Sequence, residues 1–139
     1  MDVEIKLVTP GDAGLFGRVA EDVFDEPIHP ERLKAYLAEP GHPMVVALAG
    51  GEIIGQVAAV IHRHPDKPTE LYIDEVGVTP AWQQRGIAKR MLDAMLVHGK
   101  ALGCEGAWVG TEPHNLPARR LYERHCREAE TFVMYLWPL

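Results

Sequence analysis

The sequence predicts one α/β domain built around a single mixed sheet. Three observations predict it. Apolar or alternating runs of strand length are interleaved with segments whose apolar residues recur at helical spacing. In chain order these give β-α-α-β-β-β-α-β-α-β, with strands both flanking and interrupting helices. A chain of 139 residues, 47% hydrophobic and 24% charged, can bury one core and little more, so residues 1–139 are read as a single domain.

Val3–Val8 alternates apolar and charged residues, the pattern of a half-buried strand. Thr9-Pro10-Gly11-Asp12 breaks it, and Asp12 is placed to cap a helix. Leu15, Phe16, Val19, Ala20 and Val23 then keep helical spacing to about Phe24. Asp25–Pro30 is a loop, and Glu31–Ala38 a second, short helix with Leu33 and Leu37 on one face. Met44–Ala49 is a continuous apolar run; Gly50-Gly51 turns the chain into Ile53–Ile61, which makes a hairpin. His62–Thr69 is a polar, proline-containing loop before a strand at Leu71–Val78, which Thr79-Pro80 ends. Ile87, Met91, Met95 and Leu102 mark a long helix from Gly86 to about Leu102, and Gly103 suits its end. Gly106–Glu112 reads as a strand, Leu116–His125 as a helix and Thr131–Trp137 as a final strand.

Charge and composition exclude some functions. The formal net charge of −6 argues against a general nucleic-acid binder, which needs clustered positive charge, and suits a cationic substrate. No apolar run approaches the roughly 20 residues that span a bilayer. Met1–Lys6 has no basic leader followed by an apolar stretch, and Cys104 and Cys126 form neither a metal-type spacing nor a disulfide framework. The expectation is a cytoplasmic protein without membrane or nucleic-acid partners. His62-x-His64 lacks a third ligand at sensible spacing, so no metal is expected. Trp82 and Trp108 read as core or rim residues.

Chemistry concentrates after the Val76-Gly77-Val78 strand end. There Gln83-Gln84-Arg85-Gly86-Ile87-Ala88-Lys89-Arg90 opens the long helix. A helix start offers unpaired N–H groups and a positive dipole end to an anion. Gly86 and Ala88 keep bulk low there, and Arg85, Lys89 and Arg90 are accompanied by no acid. A pyrophosphate is the natural guest. The stretch is neither a P-loop nor a dinucleotide fingerprint. From these residues alone, an ordinary strand–loop–helix junction remains open.

Gln83-x-x-Gly86-x-Ala88 after a Val-Gly-Val strand resembles the acetyl-CoA motif of the GNAT superfamily of N-acetyltransferases. A second block, Asn115-x-x-Ala118-x-x-Leu121-Tyr122, follows in the order and context of that family. Leu71–Val78, Ala101-Leu102-Gly103 and Arg127-Glu128…Met134-Tyr135 are similar to the small aminoglycoside 3-N-acetyltransferases, with Phe24…Tyr36-Leu37 and the Pro68/Glu70 loop in agreement. The resemblance implies the GNAT acyl-CoA N-acyltransferase fold and transfer of acetyl from acetyl-CoA to a primary amine by direct attack. Its leading acceptor is an aminoglycoside-like polycation, with the antibiotic-resistance role that entails. A peptide, polyamine or metabolite amine is the alternative acceptor.

Within that resemblance, backbone N–H groups from Gln84 through Arg85, Gly86, Ile87 and Ala88 to Lys89 would hold the pyrophosphate, with the Gln83 side chain nearby. The pantetheine arm would lie along Val76, Gly77 and Val78, hydrogen-bonded by Asn115 of the Asn115/Ala118 block. A backbone N–H near Val76 would meet the developing oxyanion. Tyr122 would face the sulfur; a tyrosine near pKa 10 donates to a thiolate near 8.5 at a cost of only ~2 kcal/mol. A packed aromatic with a structural hydrogen bond is the other reading of Tyr122. Asp74 and Glu75 are adjacent on a strand and so are expected on opposite faces, only one of them in the cleft. Glu75 matches an acidic position of the subgroup and is the favoured base, with Glu112 and His114 as runners-up.

Asp25 and Glu26, with Glu21 and Asp22, form an acidic cluster that reads either as a rim for a polycation, together with Asp74 and Glu112, or as a solvated face. Cys126 stands where the family usually has glycine after the last helix, which implies a different helix end. Family members are often homodimers, and Thr131–Trp137 is the strand available to pair across such an interface. Two rivals from other classes remain. One is a catalytically silent CoA-binding sensor, which needs neither Tyr122 nor a base. The other is an interaction domain that binds no CoA.

Overall fold

The computed structural model describes residues 2–124, 126 and 128–139. The first strand, β1, is Val3–Leu7. A 3₁₀ turn at Ala13–Gly17 follows, then α1 at Pro30–Ala38. β2 is Met44–Ala49, β3 Glu52–His62 and β4 Glu70–Val78. A short 3₁₀ turn at Pro80–Trp82 leads to α2 at Ile87–Ala101, then β5 at Gly106–Val109 and α3 at Leu116–Glu123. The strands form one sheet in the order β1-β2-β3-β4-β5; all neighbours are antiparallel except β4 and β5, which are parallel. This is the mixed α/β architecture that the alternating patterns predict.

The sheet is covered on both faces. On one side Ile87, Met91 and Met95 of α2 pack on Val45, Ala47, Val57, Leu71 and Ile73. On the other, Phe16 and Val23, with Leu33, Tyr36 and Leu37 of α1, pack on Val46, Leu48, Ile53 and Ala58. Burial on both faces explains why β2 is apolar without alternation. Gly50 and Gly51, at φ 57° and 80°, make the tight β2–β3 turn. His29 caps α1, its Nδ1 accepting from the Arg32 N–H at 3.3 Å, with Pro30 opening the helix.

Four expectations change. The helix expected through Phe24 stops at Gly17. Val19 instead bridges Ile53 in parallel, with Ala20 N–H donating to Ile53 O at 2.9 Å. A second edge was available to that segment, and the helical spacing of its apolar residues could not reveal it. Asp12 stands at the N-cap of the 3₁₀ turn but makes no side-chain cap; its carboxylate instead accepts from Thr9 N–H and hydroxyl at 2.7 and 3.0 Å, which holds its pKa below the usual value. Thr131–Trp137 is no strand but an irregular, exposed segment, and the strand expected to Glu112 ends at Val109. A strand exists only where an edge pairs it, and the apolar run alone cannot specify that edge. His125, the expected end of the last helix, and Arg127 lie outside the described residues.

Candidate active site

The pairing of β4 with β5 starts at Glu70 opposite Gly106 and stops at Ile73 opposite Val109. Asp74–Val78 continues along β3 alone, and among the described residues no strand pairs with its other edge. Two parallel strands therefore end in a notch, with a row of β4 backbone groups free to pair with an extended guest.

Past β4 the chain enters the loop that opens α2. Gln84 and Gly86 both have left-handed backbones, at φ 61° and 76°. Left-handed residues in a loop gather successive N–H groups toward one side, the geometry that cradles anions. α2 starts at Gly86 with no side-chain cap and no acid in its first turn. Its first N–H groups thus have no intrahelical partner. A Cβ at Gly86 would meet nothing within 4 Å, so the space beside Gly86 is open. Gln83 fixes the loop to the strand, its Nε2 donating to Val78 O at 2.9 Å.

The three cations of this stretch do not act as one patch. Arg85 stacks on Trp82, 4.8 Å from the ring centroid; Lys89 Nζ donates to Asp93 Oδ2 at 2.8 Å; Arg90 Nη2 donates to Val3 O at 3.1 Å. The acid that the octet lacks lies one helical turn on. Trp82, half-buried against the α2 side of the core, is the platform for Arg85. Asn115 is the N-cap of α3, its Oδ1 accepting from Ala118 N–H at 3.2 Å. That ties the first two named residues of the second block to each other. Tyr122 is half-buried on α3, and burial raises its pKa, so its hydroxyl keeps its proton at neutral pH.

The carboxylates gather on the α1 side. Ala58 pairs with Glu75 and Ala59 with Ile73, so Asp74 is an extra, unpaired residue in β4. This bulge breaks the strict alternation expected of Asp74 and Glu75. Both carboxylates act on the same group: burial, then Asp74, then Glu75, push the Tyr36 hydroxyl up to about 12. The bulge removes the strict alternation on which the expectation that they face opposite ways was based. Glu75 is itself raised above an ordinary glutamate, first by burial and then by the charges of Asp25 and Asp74, against a smaller opposing pull from the Gln56 amide.

The segment 20–25 brings Asp25 there by crossing β4 at Gly77. A Cβ on Gly77 would collide with the Val23 carbonyl oxygen and lie 3.3 Å from its carbon. Gln56, fully buried, donates from Nε2 to the same Val23 oxygen at 3.3 Å. Gly77 thus serves the close crossing of this segment as well as the open edge.

Two polar atoms in this region are buried without a partner among the described residues, the Tyr36 hydroxyl and Gln56 Oε1. Buried polar groups are normally satisfied, so these two mark a locally strained or polar spot beneath the carboxylates. Neither residue was a candidate from sequence. Gln56 is the one polar side chain in the apolar run 53–61, a signal the sequence carries; Tyr36 enters only through the Phe24…Tyr36-Leu37 resemblance. Glu112 and His114 stand apart, paired to each other at 3.0 Å with side chains 75% and 84% exposed. Glu26 is exposed and has no part in the Glu75 cluster.

Residues 15–126 match the family model of the acetyltransferase (GNAT) family. The N-alpha-acetyltransferase RimI of Mycobacterium tuberculosis is 32% identical over 96 residues, which is 68% of this chain and 60% of that protein. The chain therefore spans about three fifths of this curated relative. An aminoglycoside acetyltransferase from an uncultured soil metagenomic sample superposes with TM-score 0.84 at 22% identity, covering 100% of this chain and 99% of that one. AAC(6')-Iy in complex with the bisubstrate analogue CoA-S-monomethyl-acetylneamine superposes at 0.80 with 20% identity and full coverage, 100% of each chain. Its label is 6′, not the 3-N of the subgroup that the sequence resembles.

Proposed function

The chain belongs to the acetyltransferase (GNAT) family, and on that premise we propose that it transfers acetyl from acetyl-CoA to a primary amine of a polycationic small molecule of the aminoglycoside type. The observation that carries this reading is the notch where β5 leaves β4, opening beside the uncapped start of α2. A pantetheine arm pairs with the free β4 edge at Val76–Val78, and its pyrophosphate meets the N–H groups of Gln84–Lys89. Asn115, its Oδ1 engaged by Ala118, offers its amide NH₂ to the arm.

On the α1 side, Asp25, Asp74 and Glu75 meet a cationic acceptor, over a floor formed by the buried Tyr36 and Gln56. Glu75 takes the proton from the ammonium, directly or through water, because only the free amine has the lone pair that attacks the thioester carbonyl. A β4 backbone N–H near Val76 steadies the oxyanion. As the C–S bond breaks, Tyr122 gives its proton to the leaving thiolate, and the attacking nitrogen, left with one proton too many for an amide, gives it up to restore the tyrosine.

The test is thiol release with acetyl-CoA and a panel of amines: aminoglycosides with 3- and 6′-amines, spermidine, lysine and short peptides. The expected result is turnover on aminoglycosides at least about tenfold above every other class. Turnover confined to peptides would replace the acceptor with a protein N-terminus, as RimI's name suggests for that relative. Stabilisation by CoA without turnover would replace the enzyme with a sensor.

A homodimer belongs to the same proposal. Phe132, Tyr135 and Trp137 are 63%, 73% and 77% exposed, with Val133, Met134 and Leu136 between them at 71–81%. Three such rings, at 150–250 Å² each, leave about 400 Å² of apolar surface. The intervening side chains bring this toward the ~800 Å² per partner of a stable interface, beyond what a monomer usually exposes. Sedimentation at micromolar concentration should show twice the 15.5 kDa chain mass. A chain ending at Glu130 should sediment as a monomer. A monomer in both cases would remove the dimer.

A further inference from the structure

We propose that His62, His64 and Glu70 form a binding site for a late first-row divalent metal ion, zinc being the commonest, at the base of the β3–β4 hairpin. His62 is the last residue of β3 and Glu70 the first of β4, and the two are register partners across the ladder. His64 follows His62 by two residues, and the imidazole centroids lie 4.2 Å apart. His64 Nε2 meets Glu70 Oε1 at 2.7 Å. One ligand atom from each of the three lies within 4.8 Å of the others. The His64 side chain is only 13% exposed and that of Glu70 38%, so the cluster is partly screened yet reachable from solvent.

The chemistry of the set selects the ion. Two imidazoles and a carboxylate suit zinc, cobalt, nickel or copper, whereas magnesium and calcium favour all-oxygen sites. Bonds of 2.0–2.2 Å in a tetrahedral site put neighbouring ligand atoms about 3.3–3.5 Å apart. The 2.7 Å pair and the 4.8 Å limit on the set bracket that value, so the three ligand atoms are already gathered on the scale of one ion. The backbone partners His62 and Glu70 are already fixed by the ladder, which limits the entropy lost on binding. The fourth position would be left to water. Spacing along the chain conceals the site, because its third ligand comes from the returning strand.

The site lies five residues along β4 from Glu75, about 17 Å at strand rise, so it is separate from the proposed acetyl-transfer chemistry. Its effect is to clip the loop 63–69 across the two strand ends. An ion that binds the folded chain raises its stability in proportion to the logarithm of free ion over dissociation constant.

The experiment uses tag-free, chelator-treated protein, titrated with Zn²⁺ against a chromophoric competitor and with Co²⁺ followed by visible absorption. Wild type should bind one equivalent, show tetrahedral cobalt bands and melt higher with Zn²⁺ than without. His62→Asn, His64→Asn and Glu70→Gln should each weaken binding at least as much as the 10–100-fold typical of losing an outer partner. His64→Cys should keep a ligand and add a thiolate-to-cobalt charge-transfer band, which a misfolded or unrelated site would not produce. Failure of wild type to take up stoichiometric Zn²⁺ overturns the site. So does undiminished binding in all three ligand-loss variants, or the absence of the new band in His64→Cys.

Discussion

Gly86→Val should abolish CoA binding while the protein stays folded. Gly86 sits at φ 76° and caps α2 with no side chain of its own. A β-branched residue there carries the left-handed penalty, about 1–3 kcal/mol. The structural cost stops at that, because a Cβ meets nothing within 4 Å and no core contact is lost. In a domain of this size such a loss lowers the melting temperature by a few degrees. Binding suffers far more, since the added methyl groups occupy the open space beside Gly86, among the N–H groups of Gln84–Lys89. The backbone, pressed toward negative φ, also turns those groups away from a common guest. The expected loss is at least about 100-fold in affinity, or ~2.7 kcal/mol, by calorimetric titration with CoA. Near-native far-UV circular dichroism would confirm that the variant folds. An unchanged dissociation constant in a folded variant would move the pyrophosphate away from α2.

Most of the frame is legible in the sequence because it is local. β2, β3, β4, α1 and α2 follow from apolar runs, helical spacing and turn glycines, within two residues at each end. The failures have one cause. Val19 leaves the helical pattern to bridge Ile53, and Phe132–Trp137 stays unpaired, because both outcomes depend on which edge is free. The same limit applies to the site. The Gln83–Gly86 loop was visible as a motif. The bulge at Asp74, the crossing of Val23 over Gly77 and the orphaned Tyr36 hydroxyl are tertiary events with no spacing to betray them. Charge follows the same rule: Lys89 and Arg90 have no acid beside them within the octet, yet Asp93 and the Val3 carbonyl meet them in the fold.

Glu75→Gln should lower kcat/KM by about 10²–10⁴-fold, the usual worth of a positioned base. The amide keeps the size of the side chain beside Ala58 and removes only its basicity. The pH profile separates this role from mere positioning. Glu75 is raised by burial and by its neighbours Asp25 and Asp74, so it holds its proton to a higher pH than an ordinary glutamate at 4.5. A base works only when ionised. Wild-type activity should therefore be absent at low pH and rise as pH climbs through that raised value. In Glu75→Gln this acidic limb should vanish, leaving a low, flatter profile. Asp25→Asn removes one of the two charges that raise Glu75, so its limb should shift to lower pH. A positive acceptor bound beside the cluster stabilises the carboxylate, so the limb in kcat should lie below that in kcat/KM. Tyr122→Phe is the control: turnover drops but the limb belonging to Glu75 stays. If Glu75→Gln kept the wild-type limb and lost less than about threefold in rate, Glu75 would be a wall of the acceptor site. The proton would then leave the amine to solvent before attack.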